Sequence, residues 1–376
     1  MNDKEISEIR RRFRADRSNI THIRGCYVND NREIIASFDQ SMGLAAEEEK
    51  EKYLALLKRA LSGVPGKNLL DITFRTQQVA DSDEHRLLSA LRDSALKDEE
   101  IVQEFFQKVV QALTMETSYL ILLAHDVYDV PYRGRGGGRL ADASENQFSY
   151  VVCAVCPVKE TKQQLCYSPE ERRFVNRRAD YAAAPPELGF LFPAFDDRST
   201  NLYNALYYIH NTSQVHEDFI DAIFHTEPPM APDEQRETFQ AVLAGSLEED
   251  CSLDVVQTVH EQLCGLIAEH KASREPEPLV ITKVQVEDVL AACGVPEQGV
   301  ERFGQSFDEE FGPDAILSPS NIVDPQLALV TPDVTIKVNP ERRDLVETRV
   351  IAGAKYILVR ADEAVEVNGI NIHINQ

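Results

Sequence analysis

The stretch "FLFPAFDDRSTN", Phe190–Asn201, decides how the middle of this chain is read. An apolar run interrupted by Pro193 stops at two adjacent carboxylates and an arginine, then at small polar residues. Taken as punctuation, the stretch begins a helix. Ser199 or Thr200 supplies the N-cap, Asp196 and Asp197 sit in the favourable field of the helix dipole, and a helix runs over 200–210. Taken as chemistry, Asp196 and Asp197 are ligands for Mg²⁺ and Arg198 contacts a phosphate. Adjacent carboxylates are a weak metal signal, and the sequence offers no matching acidic partner elsewhere. The helix start is therefore the expectation.

Upstream of this stretch the pattern is mixed. "SYLILLAHDVY" (Ser118–Tyr128) and "FSYVVCAVCPV" (Phe148–Val158) are apolar runs suited to strands buried on both faces. "NITHIRGCYV", "REIIASF" and "LLDITFR" read as further strands, the first two around the turn residues Asn29, Asp30 and Asn31. Helices are expected over 3–14, 45–62 and 97–113. In the last, Val102, Phe105, Phe106, Val109 and Leu113 form one stripe. "QQLCYSPEERRFVNR" reads as a hairpin with Ser168-Pro169 in its loop.

Downstream the spacing predicts helices over 214–224, 232–246 and 252–271, the last capped by Ser252. "REPEPL" (Arg274–Leu279) is a linker signal, and two short helices follow near 284–293 and 297–311. The tail reads as consecutive strands. Its Asn368-Gly369 pair predicts a two-residue hairpin turn, which sets Val367 against Ile370 and Val365 against Ile372 on one buried apolar face. The fold class is α+β: a mixed-sheet N-terminal region with packed helices (1–213), an acidic helical middle (214–274), and an antiparallel β-rich C-terminal region (279–376).

Composition narrows function. The chain has 376 residues, 43% hydrophobic and 27% charged, the balance of a globular protein. It opens without an apolar leader, and its seven cysteines lack framework spacing, so reduced thiols in the cytoplasm are expected. The net charge of −24 disfavours phosphate backbones over most of the surface. Charge is uneven: residues 217–277 hold fifteen Asp and Glu against three Lys and Arg, while Arg10–Arg17 holds five arginines and one aspartate. A solvated helix face accounts for such a run. The sharper reading docks the basic arm on the acidic region, within one chain or between two.

Other motifs are incomplete. "CAVCP" places Cys153 and Cys156 three apart, which in a strand sends the sulfurs to opposite faces, and no second pair completes a zinc set. His125-Asp126 echoes metal phosphohydrolases but sits at a strand end without the further ligands such sites use. "YRGRGGGRL" (Tyr132–Leu140) lacks a Walker lysine. It is faintly similar to the Gly-Gly-Gln loop of archaeal and eukaryotic release factors, with Gly138 in the glutamine's place. Its Arg133, Arg135 and Arg139 are candidate nucleic-acid contacts on a loop joining two strands.

"NITHIRGCYV", "ELGFLFPAFDDRSTNLYNALYY" and "VTIKVNPERRDLVETR" together resemble a bacterial family catalogued as a domain of unknown function, DUF4317. The resemblance spans nearly the whole chain. It implies one architecture shared among cytosolic bacterial proteins and carries no catalytic residue, and the Arg-Gly loop at 133–139 stands outside it.

The leading expectation is a non-enzymatic cytoplasmic interaction protein that presents an acidic surface to a basic protein partner, with no cofactor and no membrane contact. One alternative is a Mg²⁺-dependent enzyme on a phosphorylated substrate at Asp196, Asp197 and Arg198. Another is a ribosome- or RNA-associated factor using the Arg-Gly loop or the N-terminal arginines.

Overall fold

The computed structural model describes residues 1–133, 139–161, 164–168, 170–177, 181–248, 251–273, 275, 277–313, 315–324, 326–339, 342, 345–361, 365–367 and 370–372. The chain divides into two compact units, Met1–Glu234 with Pro276–Pro278, and Gln235–Glu275 with Leu279–Gln376.

The first unit opens with α1 (Asp3–Arg10), β1 (His22–Val28), β2 (Ile34–Ser41), α2 (Glu47–Arg59) and β3 (Leu69–Thr73). Three helices follow: α3 (Thr76–Asp81), α4 (Asp83–Asp93) and α5 (Glu99–Ala112). Next come two long strands, β4 (Tyr119–Arg133) and β5 (Arg139–Glu160), and the hairpin β6 (Gln164–Ser168) and β7 (Arg173–Arg177). The unit continues with β8 (Tyr181–Ala183), β9 (Leu188–Phe192), β10 (Ala194–Asp196), β11 (Ser199–Asn201), β12 (Asn204–Ile209) and α6 (Glu217–Phe224).

One eight-stranded sheet organises it, in the order β2-β1-β4-β5-β9-β12-β3 with β8 on the end of β5. Neighbours along that path run antiparallel. Each central strand feeds two cores. Ile121, Leu123, Val151, Cys153 and Val155 face the side covered by α4, α5 and α6. Leu122, Ala124, Val152, Ala154 and Cys156 face the side covered by α1 and α2. Burial on both faces is why these strands read as unbroken apolar runs. The same alternation separates Cys153 from Cys156, and burial pushes both thiols up, the second to about 12.

One expectation is corrected here. Residues 200–210 are not a helix: they finish the hairpin β10–β11 and then form β12, which lies between β9 and β3. Leu206, Tyr207, Tyr208 and Ile209 are all buried, so a strand covered on both faces shows the dense apolar pattern that also suits a helix. Two further helices, α3 and α4, lie between β3 and α5, and α4 carries a Ser82 N-cap and buries Leu87, Leu88 and Leu91.

The second unit contains the greater part of α7 (Pro232–Leu247), then α8 (Leu253–Ser273), β13 (Ile281–Thr282), α9 (Lys283–Ala292) and α10 (Glu297–Phe311). β14 (Ile316–Leu317) and α11 (Pro319–Ile322) complete its helical part, whose core includes Phe239, Leu247, Leu263, Leu290, Phe303 and Phe307. Ser252 Oγ accepts the Val255 amide at 3.3 Å, the expected cap of α8. Three hairpins follow: β15 (Leu327–Val330) with β16 (Thr335–Val338), β17 (Val346–Ile351) with β18 (Ala354–Val359), and β19 (Val365–Val367) with β20 (Ile370–Ile372). The last has the expected register, Val365 opposite Ile372 and Val367 opposite Ile370. Its expected burial is corrected, since Ile370 is 69% and Ile372 42% exposed. Asn368 and Gly369 lie outside the described residues. No described helix is long and apolar enough to cross a membrane.

Candidate functional site

The hairpin after Phe195 is the natural place to look for chemistry. Its strands pair Ala194 with Asn201, Phe195 with Thr200 and Asp196 with Ser199, which leaves Asp197 and Arg198 as a two-residue turn. Both have positive φ, 49° and 56°. This is the type I′ pattern, which usually takes Asn and Gly. Aspartate tolerates the left-handed region, whereas arginine there costs on the order of 1–2 kcal/mol. Something must hold Arg198 in place.

What holds it is the N-terminal helix. Asn2 and Glu5 form a capping box: Asn2 Oδ1 accepts the Glu5 amide at 3.1 Å, and Glu5 Oε2 accepts the Asn2 amide at 2.9 Å. The other Glu5 oxygen accepts the Arg198 amide at 3.3 Å. One turn along, Glu8 Oε1 accepts Arg198 Nη2 at 2.8 Å and the Tyr128 hydroxyl at 2.6 Å. Arg198 Nη2 also donates to the Pro131 carbonyl at 3.2 Å. Just past α1, Arg12 grips Asp126 with two nitrogens, at 3.2 and 3.4 Å, and lies 5.2 Å over the Tyr128 ring.

Asp126 is buried. Its Oδ2 also accepts the Tyr150 hydroxyl at 2.9 Å, and its Oδ1 accepts the Val127 amide at 2.9 Å. Tyr150 stacks on Phe148, and Phe148 packs on Phe195 with ring centroids 4.7 Å apart. Strand register explains the grouping. Asp126 opposes Tyr150 and Tyr128 opposes Phe148, so all four project to one face of the β4–β5 ribbon. His125 projects to the other face and meets Ser149 Oγ at 2.9 Å, with burial lowering its pKa.

Asp196 is committed as well. It lies 2.8 Å from the Met1 ammonium and accepts Asn201 Nδ2 at 2.7 Å. Burial opposes its charge, but these donors prevail and hold its pKa below the ordinary carboxylate value. Asp197 is exposed, and its carboxylate makes no hydrogen bond or ion pair among the described residues. The sequence-predicted trio is thus split. Arg198 joins an ion-pair chain leading to Arg12 and Asp126, Asp196 joins the chain terminus, and Asp197 points away. Arg135 lies outside the described residues. Arg133 and Arg139 face each other in register at the end of β4–β5, and their side chains lie outside the description.

The expected docking of the N-terminal arginines on the acidic region also gains a specific outcome for one residue. Arg12 pairs with Asp126 inside the first unit. That pairing links positions 114 apart in sequence, and no local signal announces it.

The network leaves one buried donor over, since Arg198 Nε has no hydrogen-bond partner among the described residues. Each carboxylate in it has a cationic, hydroxyl or amide donor. Tyr128 is pushed up to about 12, by burial first and then by its bond to Glu8, so at neutral pH the phenol stays protonated and donates. Among the described residues no group of three or more His, Cys, Asp or Glu is placed to hold a metal ion. The arrangement braces helix to sheet and fixes a strained turn.

A second concavity escaped sequence reasoning because one wall is α3, a short polar helix. It is an open groove of about 740 Å³ lined by Asp71, Thr73, Arg75, Gln78, Ser82 and Glu227 among others. Arg75 spans it to Glu227 at 2.9 Å, and Gln78 Nε2 donates to the His225 carbonyl at 2.5 Å. Asp71 is held by the Met1 ammonium at 3.4 Å, and Thr226 Oγ1 is buried there without a hydrogen-bond partner among the described residues.

Comparison with known proteins gives a family. The model of the family described as "Domain of unknown function (DUF4317)" matches residues 1–370. No curated protein and no solved structure matches. The chain belongs to the DUF4317 family.

Proposed function

We propose that this member of the family is a non-enzymatic, cytoplasmic interaction protein whose acidic surface receives a basic partner. The observation that carries the reading is where the charge is spent. At the hairpin, Asp196 and Arg198 are spent in internal pairs, and Asp197 alone faces solvent. Along 217–277 the acid excess stands on the surface: among the described side chains there, every Asp and Glu except Asp233 is exposed. In the first unit these include Glu217, Asp218 and Asp221 on α6; in the second, Glu237 on α7 and Glu261 and Glu269 on α8. Exposed carboxylates of one sign steer a cationic partner and hold it by screened attraction.

Capture of such a partner is expected to be salt-sensitive. The Debye length shrinks from roughly 30 Å at 0.01 M salt to roughly 3 Å at 1 M. Affinity capture from lysate is expected to retain a basic protein at about 0.01 M and release it at about 1 M. A variant carrying Glu237→Lys, Glu261→Lys and Glu269→Lys loses it at both. A partner held equally in high salt, or held equally by the variant, removes the reading.

A further inference from the structure

The β6–β7 hairpin stands apart from the large sheet. Its two strands pair with each other and, among the described residues, with no other strand. Two strands alone are marginal in water. This pair also exposes apolar side chains: Leu165 is 70% exposed, Tyr167 54% and Phe174 64%. Tyr167 and Phe174 oppose each other in register with ring centroids 5.6 Å apart, so they form one aromatic ledge.

The two edges differ. β7 reads "RFVNR", with an arginine at each end. An antiparallel approach of a second β7 would set Arg173 against Arg177, like charge against like, and such pairs repel. β6 reads "QLCYS" and carries no charge. A second β6 approaching antiparallel about Cys166 sets Leu165 against Tyr167, Cys166 against Cys166 and Gln164 against Ser168. Both apolar residues then gain an apolar neighbour, and every opposition is neutral. One edge is guarded and the other is complementary to itself, as a two-fold contact requires.

We propose that the β6 edge is a homodimerisation site, at which two copies of this chain join their hairpins into a four-stranded sheet ordered β7-β6-β6-β7. The arginine-flanked β7 strands become its outer edges, which stops further growth. Five-residue strands bury little area, so the dimer is weak and concentration-dependent. Each chain carries −24, so screening the mutual repulsion strengthens the contact. This salt response is opposite to that of the acidic-surface reading and separates the failure of one from the failure of the other.

Sedimentation of the full chain over a concentration series tests the site. The expected result is a monomer–dimer equilibrium that tightens with salt. Leu165→Lys and Tyr167→Lys, both at exposed positions, are expected to weaken it at least about tenfold with the far-ultraviolet spectrum unchanged. Oxidation with diamide then tests the register. Two Cys166 thiols give up two protons and two electrons to diamide, forming one disulfide, as the short separation of opposed strand residues permits. The linked dimer is expected in the wild type and lost in Cys166→Ser. A monomer at all concentrations, or a dimer indifferent to both lysine variants, overturns the site. Binding of a single-stranded oligonucleotide through Tyr167 and Phe174 by a chain that stays monomeric overturns it too. Loss of the dimer in the lysine variants without any Cys166 link overturns the two-fold register.

Discussion

Replacing Arg12 with alanine lowers the unfolding free energy by about 3–5 kcal/mol, because it strands a buried carboxylate. Asp126 has no exposed side-chain surface and Arg12 is 16% exposed, so water cannot easily replace the lost guanidinium. The Tyr150 hydroxyl and the Val127 amide remain as donors, but neither carries charge. The substitution also uncovers the Tyr128 ring. Urea unfolding of the first unit measures the loss. The neighbouring Arg14→Ala serves as control: Arg14 pairs with Asp16 at the surface, both more than half exposed, and its removal is worth less than about 1 kcal/mol. Equal effects of the two substitutions would show that the Arg12–Asp126 pair is not part of the packed interior.

Phe190→Ala is expected to cost about 3–5 kcal/mol as well, for a different reason. Phe190 is fully buried in β9, between Cys153 of β5 and Tyr207 of β12. Its ring lies 5.3 Å from that of Phe224 and 6.0 Å from that of Phe105, so it ties α6 and α5 to the sheet. Alanine leaves a cavity that three separate elements would have to close. Tyr203, which is 47% exposed just before β12, makes the comparison, because its truncation removes little packing. Equilibrium unfolding of both variants checks the contrast, and a small loss at Phe190 would deny that the stretch is a central strand.

How much of this was written in the sequence depends on whether a signal is local. The β4 and β5 runs, the α5 stripe and the register of the last hairpin are local, and each is found where its pattern places it. The turn at Asp197-Arg198 is local too, but it lacks the glycine that marks such turns. Arg198 is kept left-handed by Glu5 and Glu8, which lie more than 180 residues earlier. The strand that follows was disguised by its own burial: with both faces covered, β12 shows no alternation, and Leu202, Leu206 and Ile209 mimic helical spacing. For Ile370 and Ile372 the pattern shows which residues share a face. It does not show whether anything covers that face. The candidate site was legible in membership and illegible in role, since Asp196 and Arg198 acquire their partners only when the N-terminal helix packs down.

Arg198 serves the fold, and the coupling free energy between Glu8 and Arg198 tests this most directly. A double-mutant cycle with Glu8→Ala and Arg198→Ala, read by urea unfolding with and without Mn²⁺, is expected to give about 1–3 kcal/mol of favourable coupling that the ion leaves unchanged. Coupling near zero, together with an ion-induced rise in wild-type stability that Asp196→Asn abolishes, would contradict it and make the turn a binding site.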